Sequence, residues 1–303
     1  MSKIVVVGSI SMDLVMRTKR IPEGGETIFG DSFNIVPGGK GANQAVAIGR
    51  LSSVEDNIYI FGNVGEDIFS ADLLSNLQNN NISTEHVGTV PQSTGVAQIT
   101  LYGGDNRIIY YPGANNLVRT NDWKNEWELI SDASIVVLQN EIPHEANLSI
   151  AKFCQENQVK VLYNPAPARE TDKEMIPFCD FITPNEHECS ELFPDKKLDE
   201  IIKIYPNKMI VTLGVEGSIY YDGTAVKKIP AIKAEVVDTT GAGDTFNGAF
   251  AYAISKGKEM NVALSFATIA SHLSVQRFGA QGGMPSLKEI KEHSGYEEIW
   301  DFK

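Results

Sequence analysis

The sequence predicts an α/β protein: a doubly wound, mainly parallel sheet flanked by helices, with a small antiparallel β lid. Three observations lead there. Short β-branched runs recur along the chain, these runs are nearly continuous in apolar residues, and they alternate with longer segments of helical length and composition. A strand buried on both faces has no polar side to show, so continuous runs signal a parallel sheet covered by helices.

The strand segments are residues 3–8 (KIVVVG), 57–62 (NIYIFG), 134–139 (SIVVLQ), 159–163 (VKVLY), 180–183 (DFIT) and 208–214 (KMIVTLG). Residues 38–51, 67–77, 143–157 and 243–255 suit the crossover helices that join parallel strands. Two regions break the alternation. Residues 13–36 are polar, punctuated by Gly and Pro, and carry short alternating runs; residues 94–111 read TGVAQITLYGGDNRIIYY, with Gly-Gly-Asp-Asn marking a hairpin turn. Both read as antiparallel β. A small sheet is barely stable alone, so the two regions are expected to join as a lid on a single domain spanning residues 1–303.

Composition bounds what this domain can do. At 303 residues with 42% hydrophobic content the chain can bury a large core. Its 26 Lys and Arg against 39 Asp and Glu give a formal charge of −13, which disfavours nucleic acid and anionic membrane as partners. Cys154, Cys179 and Cys189 form no C-x-x-C pair, which argues against a zinc site or a disulfide framework and fits a reducing cytoplasm. No apolar run approaches the roughly 18 residues of a membrane span, and IVVVG is too short for a signal-peptide core.

Ligands of doubly wound sheets bind beyond the carboxyl ends of the strands, and here the residues at those ends are polar. Asp13 follows the first strand in GSISMD, and PGGKGANQ opens the first helix with Lys40 and Asn43. Asn140-Glu141 follows SIVVLQ, PNEHE follows DFIT, and DTTGAGDTFNGAF (238–250) opens the last of the predicted helices. The last stretch poses a conflict. A small-residue turn opening a helix offers unpaired N–H groups that attract phosphate, whereas Asp244 would repel it.

GGKGANQA, NPAPAR, TPNE, VTLG and DTTGAGDTFNGAF, in that order, resemble the signature segments of the ribokinase-like (PfkB) carbohydrate kinases, from residue 4 to about residue 286. The resemblance implies an ATP-dependent sugar kinase, D-ribose being the first expected substrate. It also resolves the conflict. The backbone N–H groups of Gly241, Ala242 and Gly243 would form an anion hole for the transferring phosphoryl group, and Asp244 would face the sugar hydroxyl as its general base. Alone, the loop would read equally as a helix N-cap.

By the same resemblance Asp13 accepts from two sugar hydroxyls, Gly39, Lys40 and Asn43 hold the other side, and Glu141 closes the pocket. Without it Asp13 and Glu141 would be solvated loop carboxylates, and Lys40 a surface lysine. Asn185 and Glu188 match the N-x-x-E element that organises Mg²⁺ and the phosphates; the alternative is a Pro-led helix start with acidic residues in its first turn. Thr212, Gly214 and Gly217 match the ATP-binding segment, which Gly243 also serves, and His187 reads as a surface residue. A potassium-type cation is implied at Asp238, Thr240, Ser274, Arg277, Gly279 and Gly283, against the alternative of an ordinary glycine-rich turn. The family also implies a homodimer paired through the lids.

Departures from the family pattern concern the sugar. Ribokinase-like enzymes usually carry Asn where this chain has Ser11, an aliphatic lid residue where it has Tyr110, and often Ser where it has Gly283. Another substrate on the same fold (2-deoxyribose, fructose or adenosine) is therefore the alternative, and a non-catalytic sugar sensor is a further one. A dinucleotide-dependent dehydrogenase fits poorly, since VVVGSIS supplies only Gly8 of G-x-G-x-x-G.

Overall fold

A computed structural model describes residues 2–103, 105–123 and 126–302. The chain opens with β1 (Lys3–Val7), β2 (Ser11–Arg17), β3 (Ser32–Gly38), α1 (Lys40–Leu51), β4 (Asn57–Gly65), α2 (Ser70–Asn79), β5 (Ile82–Ser83) and β6 (Val87–Val90). Next come β7 (Gly95–Tyr102), β8 (Asp105–Tyr111), α3 (Trp127–Ser131), β9 (Ile135–Gln139), α4 (His144–Glu156), β10 (Val161–Asn164), β11 (Phe181–Ile182), α5 (Glu186–Leu192) and α6 (Leu198–Ile204). It closes with β12 (Ile210–Thr212), β13 (Ser218–Tyr221), β14 (Val226–Ile229), α7 (Ala242–Ser255), α8 (Met260–Ser274), α9 (Ala280–Gly283) and α10 (Leu287–Glu292).

Among the described residues the central sheet runs β11-β10-β9-β1-β4-β5, with β6 also on β4, and its pairings are parallel. β1 shows why its sequence is continuously apolar. Ile4 and Val6 enter the core layer shared with α1, α7 and α8, while Val5 and Val7 enter the opposite layer with α4 and α6, and all four are fully buried.

The run at 208–214 lies beside β11 through parallel bridges Ile182 to Met209 and Asn185 to Thr212, but its regular pairing is antiparallel, with β13. The expected parallel strand is thus the hinge between the main sheet and a three-stranded antiparallel one, β12-β13-β14.

The lid is the four-stranded sheet β3-β2-β7-β8. β2 pairs antiparallel with β3, and β7 with β8, as expected within each segment; Gly104 of the hairpin turn lies outside the described residues. The join between the two segments is parallel, β2 on β7, so the lid is mixed rather than purely antiparallel. Its strands also start earlier and end later than residues 13–36 suggest, from Ser11 to Gly38, and residues 18–31 between them form no strand.

At the opposite end of β1 the chain start is locked to the end of α7. Asp56 accepts from the Lys256 ammonium at 2.6 and 2.8 Å, from the Ser2 N–H at 2.9 Å, and from the Ser53 N–H and hydroxyl at 3.0 Å each. Burial alone would raise the Asp56 carboxyl, but the Lys256, Ser53 and Ser2 donors outweigh it and hold it below its ordinary 3.8. The stabilisation is therefore present above pH 3.8 and is lost as pH falls through the depressed value. Asp56→Ala is expected to cost about 2 kcal/mol at neutral pH, read from urea midpoints. The difference from wild type should shrink below pH 3.8.

Candidate active site

Three chain segments converge at the carboxyl ends of β1 and β9. The first is the turn from β1 into β2, the second the start of α1, and the third the start of α7. Gly39 caps α1 with φ 86°, and Lys40 is the first helical residue. Glu141, just after β9, accepts from the Lys40 N–H at 2.9 Å and from the Ser9 hydroxyl at 2.6 Å. Glu141 is thus fixed at the positive end of α1 instead of standing as a solvated loop carboxylate.

Asp13 is buried on β2 and lies against Gly38, where a Cβ would sit 2.3 Å from the Asp13 carboxylate. A glycine is needed there because any side chain would push the acid out of the pocket. Burial first, then the Glu141 and Asp244 charges, push the Asp13 carboxyl up to about 7, with Lys40 opposing. Lys40 feels the converse. Burial lowers its ammonium, yet the carboxylates of Asp244, Glu141, Glu188 and Asp13 together raise it. These shifts place Asp13, Lys40, Glu141, Glu188 and Asp244 within electrostatic reach of one another.

Asp244 is buried in the first turn of α7, behind a Gly241 cap in the left-handed conformation. Its carboxylate accepts from Asn43 Nδ2 at 2.9 Å on Oδ2 and from Gln44 Nε2 at 3.0 Å on Oδ1. The Ala242 N–H turns to the Thr239 carbonyl at 3.2 Å, so within the expected trio of amides this one is engaged inside the turn. The side of Gly243 is open: a Cβ there would meet nothing within 4 Å.

Ser11 and Tyr110 form the lid side of the pocket. The Tyr110 hydroxyl lies 3.4 Å from Ser11 Oγ, and Asn115 Nδ2 donates to both at 3.0 Å. Burial and the Glu141 charge raise the Tyr110 phenol, which stays protonated.

The remaining predicted residues fall into two flanking groups. Asn185 and Glu188 form a capping box on α5, each side chain bonding the other's backbone N–H at 2.8 Å. The helix-start reading of TPNEHE is therefore met, while Glu188 also lies near Lys40 and Asp244. Thr212 bridges to Asn185, placing the Gly214–Gly217 turn beyond the same edge. The structure records no bond from these to the sugar-side residues. His187 is exposed and pairs with Glu191.

The other group surrounds Asp238, which accepts from the Thr240 N–H and the Gly279 N–H at 2.9 Å each and so joins two loops. Gly283 packs on the Ser274 carbonyl, where a Cβ would sit at 2.2 Å. The Arg277 side chain points away, to Glu289. Among the described residues no group of three or more His, Cys, Asp or Glu could hold a metal ion.

Sequence reasoning missed Gln44, Ser9, Asn115, Asn164 and Gln281. Gln44 and Asn164 stand inside the quoted segments GGKGANQA and NPAPAR, so position within those segments was the signal available.

A buried acid in the first turn of a helix, open main-chain beside it and a carboxylate-lined pocket under a β lid define a small-molecule kinase of the α/β class. The model of the pfkB family carbohydrate kinases matches residues 1–287, and the chain belongs to that family. It is 61% identical over 291 residues to the ribokinase of Lactococcus lactis subsp. lactis, covering 96% of each chain. It is 44% identical over 293 residues to the ribokinase of Bacillus subtilis, covering 96% of this chain and 99% of that one. The structure of Arabidopsis thaliana ribokinase complexed with ribose and ATP matches with TM-score 0.85 and 32% identity over 100% of both chains.

The raised Asp13 gives a test of the pocket. A carboxyl ionised in the unfolded chain from about 3.8 but in the folded one only from about 7 removes stability as pH rises between those values. Asp13→Asn should therefore raise the melting temperature by about 3 °C or more at pH 8 and leave it unchanged at pH 4, by calorimetry.

Proposed function

We propose that the chain transfers the γ-phosphoryl group of ATP to the 5-hydroxyl of D-ribose, giving ribose 5-phosphate and ADP. The observation that carries this is the placement of Asp244. It is a buried carboxylate held by two amides at the N-terminus of α7, beside the pocket of Asp13, Lys40 and Glu141. The relatives that carry the name ribokinase support the choice of sugar.

In this reading Asp13 accepts from vicinal hydroxyls, with Asn43 and Lys40 on the far side and Tyr110 of the lid above. Asp244 takes the proton of the attacking hydroxyl, whose oxygen bonds to the γ-phosphorus as the bridge to the β-phosphate breaks. The N–H groups around Gly241 and Gly243 face the charge that develops on the moving phosphoryl group. Asn185 and Glu188, beside Thr212, Gly214 and Gly217, line the nucleotide side. Mg²⁺ bound with the nucleotide would supply charge neutralisation there, largely through its own waters. The Asp238 clamp, which joins the Thr240 and Gly279 loops, fits the K⁺ site that the family implies beside the anion hole. Three buried, unpaired cysteines support a reducing cytoplasm, and the whole chain acts as one unit under its lid.

A second substrate remains in view because of one observation. The Tyr110 hydroxyl and Asn115 crowd Ser11, so the pocket wall that Asn usually forms is built differently here. An ADP-release assay across ribose, 2-deoxyribose, fructose and adenosine decides the preferred acceptor; sugar binding without turnover would favour a sensor. Asp244→Asn should keep ribose affinity within a few fold and lower kcat about a thousandfold or more. Near-wild-type turnover would remove Asp244 from its role.

The dimer proposal rests on the outer lid face, where Phe33, Ile35 and Ile109 are 53%, 52% and 71% exposed. Ile109→Asp should convert a dimer to a monomer in sedimentation velocity. A wild-type chain sedimenting as a monomer at micromolar concentration would refute the pairing.

A further inference from the structure

Two rows of side-chain amides run through the interior and end on Asp244, one on each oxygen. In the first, Asn76 of α2 donates to Gln281 Oε1 at 2.7 Å, Gln281 Nε2 donates to Asn43 Oδ1 at 2.9 Å, and Asn43 Nδ2 donates to Asp244 Oδ2 at 2.9 Å. In the second, Gln139 Nε2 donates to Gln44 Oε1 at 2.8 Å, and Gln44 Nε2 donates to Asp244 Oδ1 at 3.0 Å while also reaching Asn164 Oδ1 at 3.1 Å. Every amide in both rows points its N–H toward the carboxylate.

Direction is the informative feature. Asn43 turned over about its amide axis would present Oδ1 to Asp244, oxygen to oxygen, and the donor on Gln281 is what prevents this. Gln281 is oriented in its turn by Asn76, and its backbone is held by Arg50, which donates to the Gln281 and Met284 carbonyls at 2.6 and 2.8 Å. Gln281 is buried on α9, between Gly279 and Gly283 of the cation loop, and touches no predicted substrate position except Asn43.

We propose that Gln281 is a positioning residue for phosphoryl transfer, acting through Asn43 to fix the plane of the Asp244 carboxylate. This deepens the kinase reading and rests on Asp244 being its base. With one amide on each oxygen, the carboxylate keeps a lone pair on each for the incoming hydroxyl but is restrained from swinging about its Cβ–Cγ bond. The other charged groups facing Asp244 are Asp13 from β2, Lys40 at the start of α1 and Glu188 from α5, and none of them touches Gln281.

The test uses Gln281→Met, which keeps length and volume but has no amide. Coupled ADP-release with ribose and ATP should show kcat reduced about tenfold, with the KM for ATP within about threefold. The KM for ribose should also stay within about threefold, so that the loss falls on kcat as Asp244 loses an oriented donor. If Gln281→Met does not fold, Gln281→Glu serves instead, since its carboxylate still accepts from Asn76 and cannot donate to Asn43; the same loss in kcat is expected. A purely structural role would lower the melting temperature and leave kcat of the folded variant at the wild-type value. A folded variant with wild-type kcat, alongside an inactive Asp244→Asn, overturns the positioning role alone. An active Asp244→Asn would instead overturn the base assignment on which it rests.

Discussion

The site depends on how closely α7 lies against α1. At Gly248 a Cβ would sit 2.6 Å from the Ala47 Cβ and 2.8 Å from the Gln44 carbonyl, so the two helices touch through main chain at that level. One turn nearer their N-termini, this approach brings Asn43 and Gln44 within hydrogen-bond reach of Asp244. An alanine at 248 would separate the helices by a methyl radius and stretch both bonds together. The glycine thus lies on the packing link of the chain from sequence to function, and its helix-propensity cost of roughly 1 kcal/mol is set against a geometry no other residue permits.

The same approach concentrates charge. The N-termini of α1 and α7 face one pocket, each with a carboxylate at its positive end, Glu141 and Asp244. Asp13 and Glu188 add two more, and Lys40 stands among them, which is why its ammonium is raised although burial opposes it. Three of these acids, Asp13, Glu141 and Asp244, border the side proposed for the hydroxylated substrate, where acceptors are needed, and Glu188 borders the side proposed for the nucleotide.

Much of this was legible in the sequence, for identifiable reasons. β1 and β9 must be apolar on both faces, and Ile4 to Val7 and Ile135 to Leu138 say so without any partner being known. The loop before α7 needs small residues and an acid, and both stand in GAGD. Other features live in pairings that no local pattern encodes. The parallel join of β2 to β7 links segments about eighty residues apart, and alternation specifies a strand's face but not its neighbour's direction. Helix α8 escaped notice because its sequence, VALSFATIA, is apolar on nearly all sides, packed among α7, α9 and α10, and lacks the polar stripe that marks a surface helix. Gln44 and Gln281 are neutral amides whose meaning exists only once α7 has arrived.

β2 ties these levels together. Its residues alternate in the pleat, so Asp13 and Val15 share a face with Ala97, Ile99 and Tyr110, while Leu14 and Met16 share the other with Ile35, Phe33 and Ile109. One face therefore carries the acid of the pocket and the other carries the exposed apolar surface. A one-residue slip of β2 would exchange the two, putting Leu14 where Asp13 must be. The seven-residue registers on both β3 and β7 prevent it. Because the pleat sends adjacent residues to opposite faces, a single register fixes both the acid of the pocket and the apolar surface behind it. The lid is in this sense part of the pocket, since β2 carries Asp13 on one face and Leu14 on the other.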